Sequence, residues 1–223
     1  MKFNKYLLAV SVCIATPAMA QSSMETIENN CLTGDAKSCL VAGYANLNGI
    51  KAEKNVTKSE TLFERGCTLG ELEACHVIAT RFNKSDSYKR LSELCSKGHD
   101  ASCASKAYSE LEGLSTKKNV KKGIQTAQAS CDNSGSQSCT ILASIYFLGL
   151  YSQKIDNDKG VSYLEKSCKL KMYSSCKQVA KIYSEGRLIK PNAEKVLESL
   201  STMCSLGDKK SCSTIETYRG KTQ

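Results

Sequence analysis

The sequence has no tryptophan, only two histidines and two prolines, and few aromatic residues, 6% of the chain. It holds no unbroken apolar run of 18 or more residues, so a membrane-spanning helix is not expected in the processed protein. With only His76 and His99 to draw on, and no third ligand clustered with them, the sequence makes no convincing catalytic metal centre and histidine-based hydrolysis is poorly served. Neither a glycine-rich phosphate loop nor a Lys-Thr-Gly element is present. No cofactor and no metal are therefore expected.

Cysteine is abundant instead, at 13 of 223 residues. The hydrophobic share of 41% is enough to fold, and 31 basic against 22 acidic residues leave a net charge of +9. So many cysteines make the compartment the first question. Lys2 and Lys5 form a basic start, Tyr6 to Ala15 a short apolar stretch, and Ala18-Met19-Ala20 a small-residue cleavage site. This pattern predicts a secretory leader over residues 1–20, cut after Ala20, and a periplasmic or secreted protein of residues 21–223. Cys13 raises lipidation as an alternative, but Val12 before it is bulkier than such sites want. Loss of Lys2 and Lys5 lowers the net charge from +9 to +7.

Without Cys13, twelve cysteines remain as six pairs, each with members eight positions apart: Cys31/Cys39, Cys67/Cys75, Cys95/Cys103, Cys131/Cys139, Cys168/Cys176 and Cys204/Cys212. The first members are separated by 36, 28, 36, 37 and 36 residues, a period that means a repeat architecture. Other columns keep the same phase. Glycine falls ten residues after the second cysteine at Gly49, Gly113, Gly149 and Gly186, and a small residue four after it at Gly43, Ala79, Ala107, Ala143 and Ala180. An apolar residue precedes the first cysteine by four positions, as at Phe63 and Leu164. Glycine follows it by three at Gly34, Gly70, Gly98 and Gly207, with Gly135 one place late.

Within 139–149, Leu142, Ala143 and Tyr146 share one helical face and Gly149 is a helix stop; within 159–168, Val161, Leu164 and Cys168 do the same. Each period is thus a helix pair, with helix A running from near the second cysteine to the glycine and helix B ending near the next first cysteine. Pro191 falls in an A–B loop, where a helix can start just after it. The cysteines of a pair sit either side of a tight B-to-A turn, so all six disulfides are expected within pairs, each worth roughly 2.5 kcal/mol on the loop-entropy account. Zinc is the alternative, but its cysteine pairs usually leave two to four residues between them rather than seven. One period, between Cys75 and Cys95, is eight residues short, clipped near Asn83–Ser87. The ends carry half-repeats: a B-like helix over 22–31 and an A-like helix over Lys209–Arg219.

The pattern Cys-x2-Leu-Ala-x2-Tyr-x2-Gly followed by Lys-Gly-x2-Tyr-x-Glu-Lys-x-Cys, as it stands at 139–168, resembles the Sel1-like repeat, and the seven-residue cysteine spacing resembles the family's cysteine-rich secreted branch. The resemblance covers 22–219. It implies an all-α, right-handed superhelix of about five antiparallel helix pairs, related to tetratricopeptide repeats, with A helices lining a concave face that binds another protein.

Candidate residues follow from helix phase and charge. Tyr44 and Tyr108, five after the second cysteine, are expected as groove anchors, and His76, Lys177 and Lys181 as further partner contacts. His99 occupies a turn position filled elsewhere by Asp35, Glu71 and Asp208. Lysines cluster at 117–122 and 166–181, which favours an acidic protein partner over nucleic acid in an exported protein. A monomer acting as an inhibitor, such as an immunity protein against a periplasm-delivered toxin, or as an envelope scaffold is the expected role. The alternative is a penicillin-recognising protein with weak β-lactamase activity. It needs Ser-x-x-Lys, which occurs at Ser115–Lys118 and Ser174–Lys177.

Overall fold

A computed structural model describes residues 18–51, 53–82 and 85–220. The expected leader and Cys13 lie almost wholly in residues 1–17, outside the described residues. Among the described residues there are twelve α-helices, one short 3-10 turn and no strand. In order they are α1 Ala18–Leu32, α2 Ala36–Asn48, α3 Val56–Thr68, α4 Leu72–Arg81, α5 Ser87–Ser96, α6 Asp100–Glu112, α7 Val120–Asp132, α8 Ser136–Leu148, α9 Asn157–Lys169, α10 Tyr173–Glu185, α11 Ala193–Ser205 and α12 Lys209–Gly220. Even-numbered helices are the A helices and odd-numbered ones the B helices.

The chain forms two compact units, residues 1–75 and 76–223. In the first, α2 packs antiparallel on α3, and Met24, Cys31, Cys39, Ala42 and Leu62 are buried together. Gly43 lies under Phe63: a Cβ there would sit 2.6 Å from the ring, so only glycine lets α2 and α3 approach this closely. In the second unit α6, α8 and α10 each pair with the helix that follows. Its two cores centre on Cys131, Cys139 and Leu142, and on Leu164, Cys168, Cys176 and Val179.

All six disulfides close within pairs: Cys31–Cys39, Cys67–Cys75, Cys95–Cys103, Cys131–Cys139, Cys168–Cys176 and Cys204–Cys212, with Cα–Cα separations of 4.5 to 4.9 Å. The first cysteine is the penultimate residue of its B helix in every pair. The second does not merely lie near the start of helix A. Cys39, Cys75, Cys103, Cys139, Cys176 and Cys212 are each the fourth residue of their helix, a full turn inside it. Each bond therefore joins two formed helix ends across the turn. Burial divides the pairs. Cys31–Cys39, Cys131–Cys139 and Cys168–Cys176 are buried at both ends, Cys103 is buried beside a half-buried Cys95, and Cys67–Cys75 and Cys204–Cys212 are half-buried throughout. The shortened period loses length from both of its helices, since α4 and α5 have 10 residues each where most others have 13.

The position three after the first cysteine is left-handed in every repeat, at Gly34, Gly70, Gly98, Ser134, Lys171 and Gly207. Gly135 is therefore not a displaced member of that column, as the sequence suggested. It stands at the N-cap of α8 with ordinary φ of −78°, and a Cβ there would come within 2.3 Å of Ser130 Oγ. The missing cap is supplied from a neighbouring helix: Ser136 Oγ and the Gln137 amide both donate to Asp100 Oδ2 of α6, at 3.1 and 3.0 Å.

The A–B loops close by one repeated device. The backbone amides of Asn55, Asn119, Asp156 and Asn192 donate to the carbonyls of Asn46, Glu110, Tyr146 and Tyr183, each seven after the second cysteine. The same four Asn and Asp side chains cap the B helices by accepting from the amides of Lys58, Lys122, Lys159 and Lys195. Those lysines, exposed except for the half-buried Lys195, each reach a partner on an earlier helix. Lys58 pairs with Glu28 at 2.7 Å, Lys122 with Glu110 at 3.2 Å and Lys195 with Glu165 at 3.3 Å, while Lys159 Nζ stands 4.0 Å from the centre of the Tyr146 ring.

Candidate functional site

Within the second unit α4, α6, α8 and α10, with α5 at the edge, enclose a groove of about 900 Å³. Its aliphatic surface comes from residues such as Ala104, Leu114, Ile141 and Met172, and Tyr108 projects into it with half its surface exposed. None of its sixteen lining residues is Asp, Glu, Lys, Arg or His, although charged residues form 24% of the chain and about four would be present at that frequency.

Several hydroxyls on the lining are already engaged with their own helices. Thr80 donates to the His76 carbonyl at 2.8 Å, Thr140 to Ser136 at 3.1 Å and Ser144 to Thr140 at 3.1 Å. By contrast the side chains of Tyr108, Gln137, Ser105 and Ser174 make no hydrogen bond among the described residues. The wall is thus apolar with a few neutral polar groups left for a ligand, the usual composition of a recognition cleft.

The expected contact residues divide. Tyr108 lines the groove. Lys177 and Lys181 are exposed on α10, one and two turns beyond Ser174, outside the lining itself; Lys181 approaches Glu185 at 3.8 Å. Tyr44 is half-buried in the other unit, edge-on to Phe63 with ring centres 5.1 Å apart, its hydroxyl donating to Glu73 at 3.2 Å. His76 is half-buried rather than exposed, with Nδ1 3.1 Å from the oxygen of the buried Ser102, and His99 Nδ1 reaches the same oxygen at 2.8 Å. Their rings lie 5.5 Å apart. No cluster of three or more potential metal ligands occurs among the described residues.

The lysine clusters are less bare than their sequence density suggests. Lys122 is committed to Glu110 and Tyr88, Lys118 faces the Tyr151 ring at 6.0 Å, and Lys166 and Lys169 pair with Asp132 and Glu198. Around Glu110, burial pushes the carboxyl up, but bonds from Thr126, Tyr88 and Lys122 outweigh it and hold the group below its ordinary value.

Both serines of the acyl-transfer alternative line the groove. Ser115 sits in a loop with φ of 54°, so Ser115 and Lys118 do not share a helical turn. Ser174 and Lys177 do share one on α10, but no Ser–Lys hydrogen bond joins either pair among the described residues.

Sequence reasoning missed Thr140, Ile141, Ser144 and Gln137. The signal was available, since Thr140 and Ser144 stand one and five after Cys139, the register of His76 and Tyr108 in their own repeats.

No family model and no curated protein matches the chain. Solved structures do. A Sel1 repeat protein from Oxalobacter formigenes superposes with a TM-score of 0.61 at 17% identity, over 86% of this chain and 82% of that one. This chain has the Sel1-repeat fold. The immunity protein Pa5087 from Pseudomonas aeruginosa shares it, with a TM-score of 0.63 at 13% identity over 83% of this chain and 74% of its own. So does c5321, a protective antigen of uropathogenic Escherichia coli with an SLR fold, at 0.56 and 18% identity; it is matched over 86% of this chain but only 43% of its own length. In this Sel1-like fold the groove lies across successive A helices.

Proposed function

We propose that this is an exported Sel1-like protein whose second unit captures another protein, acting as an inhibitor in the manner of an immunity protein. The observation that carries the reading is the uncharged groove with exposed Tyr108, set on helix hairpins stapled by disulfides. A rigid, preorganised surface with an aromatic anchor is what high-affinity capture requires. Six disulfides fit an oxidising compartment, and among the described residues no helix is long and apolar enough to cross a membrane. The likeness to an immunity protein supports the inhibitor version over an envelope scaffold. Lys177 and Lys181, beside the groove, would steer a partner with an acidic rim around its contact segment.

The test is a pull-down with oxidised protein from the producing organism and its close neighbours, read by mass spectrometry. One stoichiometric protein partner supports the reading, and its identity separates a toxin from an envelope component. An empty pull-down overturns it. Ser115 and Ser174 lining one groove favour β-lactam recognition as the second reading, which requires a covalent mass adduct on one of the two after incubation with a penicillin.

A further inference from the structure

We infer that the groove of the second unit is selective for an uncharged peptide segment, one that inserts aliphatic side chains between Tyr108 and Ile141 and is held through neutral hydrogen bonds. This rests on the proposal that the chain captures a protein, and it specifies the chemistry of the captured segment. In a chain of net charge +9 the sixteen lining residues carry no charged side chain, so the basic character of the molecule stops at the edge of the groove. An acidic segment placed there would lose hydration without meeting a cation, because burying an unpaired charge is strongly unfavourable. Lys177 and Lys181 stand outside the lining and can act on the rim of a partner but not on the segment within.

The polar groups define the rest. The Gln137 side-chain amide supplies both donor and acceptor, and the Tyr108 phenol and the Ser105 and Ser174 hydroxyls supply one of each; none is used among the described residues. Such groups match the N–H and C=O of an extended backbone, each of which needs a partner when buried. A glycan is the weaker match: the lining offers a single aromatic ring and no carboxylate, and Thr80, Thr140 and Ser144 have spent their hydroxyl protons on their own helices.

Random displayed peptides selected on the oxidised full chain supply the test, with N-acetylglucosamine oligomers as the competing probe. The selected peptides should be uncharged and aliphatic, with an affinity indifferent to added salt. Ser144→Glu and Ser144→Lys should each weaken binding by roughly tenfold or more, since either charge has to be desolvated against a neutral ligand. Tyr108→Ala should weaken it comparably, and the Lys177→Ala, Lys181→Ala double variant should not. Ser144 and Tyr108 are exposed, so these changes leave the fold intact. Acidic peptides that bind Ser144→Lys more tightly and Ser144→Glu more weakly would overturn the inference. So would binding of the oligosaccharide with no peptide selected, peptide binding unaffected by all three groove variants, or no binding at all. A pull-down partner retained by the groove variants would leave capture standing and remove only this assignment; an empty pull-down removes both.

Discussion

At the scale of single residues, the turn after each first cysteine demands a left-handed backbone and receives glycine in four of six repeats. Ser134 and Lys171 hold φ of 70° and 65° with a side chain attached, a conformation that costs L-residues roughly 1–2 kcal/mol. Replacing either by glycine removes that cost and restores some unfolded-chain entropy. Ser134→Gly and Lys171→Gly should therefore each stabilise by about 0.5–1 kcal/mol, read as a higher thermal midpoint, whereas Gly98→Ala should lower it. Glu110 offers a second residue-scale expectation. Its carboxyl is buried and held below its ordinary value in the folded protein, so it contributes stability above the unfolded value near pH 4 and loses it as the pH falls through the folded one. Glu110→Gln should be less stable by about 1–3 kcal/mol at neutral pH, because an amide cannot accept from Tyr88, Thr126 and Lys122 together. Its thermal midpoint should also fall less steeply than that of the native protein between about pH 5 and 3, the remaining slope coming from other lowered carboxyls, those of Glu28, Asp35, Asp86, Asp132 and Asp208.

At the scale of elements, α8 starts without a capping side chain of its own and borrows Asp100 from α6. Asp100→Ala should cost about 1 kcal/mol, the usual value of a lost N-cap, measured by chemical denaturation. Gly135→Asp should fail to rescue it, because a Cβ at 135 meets Ser130 before any side chain can reach the helix. This borrowed cap marks where the sequence stops being legible. The helix pairs, the disulfide pattern and the glycine stops could be read directly, because each is enforced between residues at fixed spacing along the chain. The capped lysines at 58, 122, 159 and 195 also recur in phase, yet their partners change from Glu28 to Glu110 to the Tyr146 ring to Glu165, so no single pairing rule reveals them. The groove is intermediate. Its register was visible at Tyr108, but its neutrality appears only when side chains from α4, α6, α8 and α10 are brought to one surface.

At the scale of the whole molecule, the cysteines substitute for the bulk that the core lacks. Among the described residues, alanine and half-cystine make up about half of the buried hydrophobic residues, and the largest fully buried side chains are Phe63, Ile78, Leu111, Leu142, Ile145 and Leu164. Each disulfide closes a loop of eight positions, worth roughly 2.5 kcal/mol on the chain-entropy account, so six of them approach 15 kcal/mol in the additive limit. Net stabilities of folded proteins lie at about 5–15 kcal/mol. The crosslinks therefore match the entire margin by which such a chain folds, and many of the half-cystines are themselves core: Cys31, Cys39, Cys131, Cys139 and Cys176 have no exposed surface. Full reduction should abolish the cooperative thermal transition, while far-ultraviolet dichroism retains part of the helical signal because the helices are locally encoded. Under the same conditions the groove should lose its ligand, since α6, α8 and α10 are pinned through Cys103, Cys139 and Cys176 to the B helices before them. A reduced, alkylated chain that still melted cooperatively near the oxidised midpoint would show that helix stacking alone holds the fold and that the disulfides serve another end.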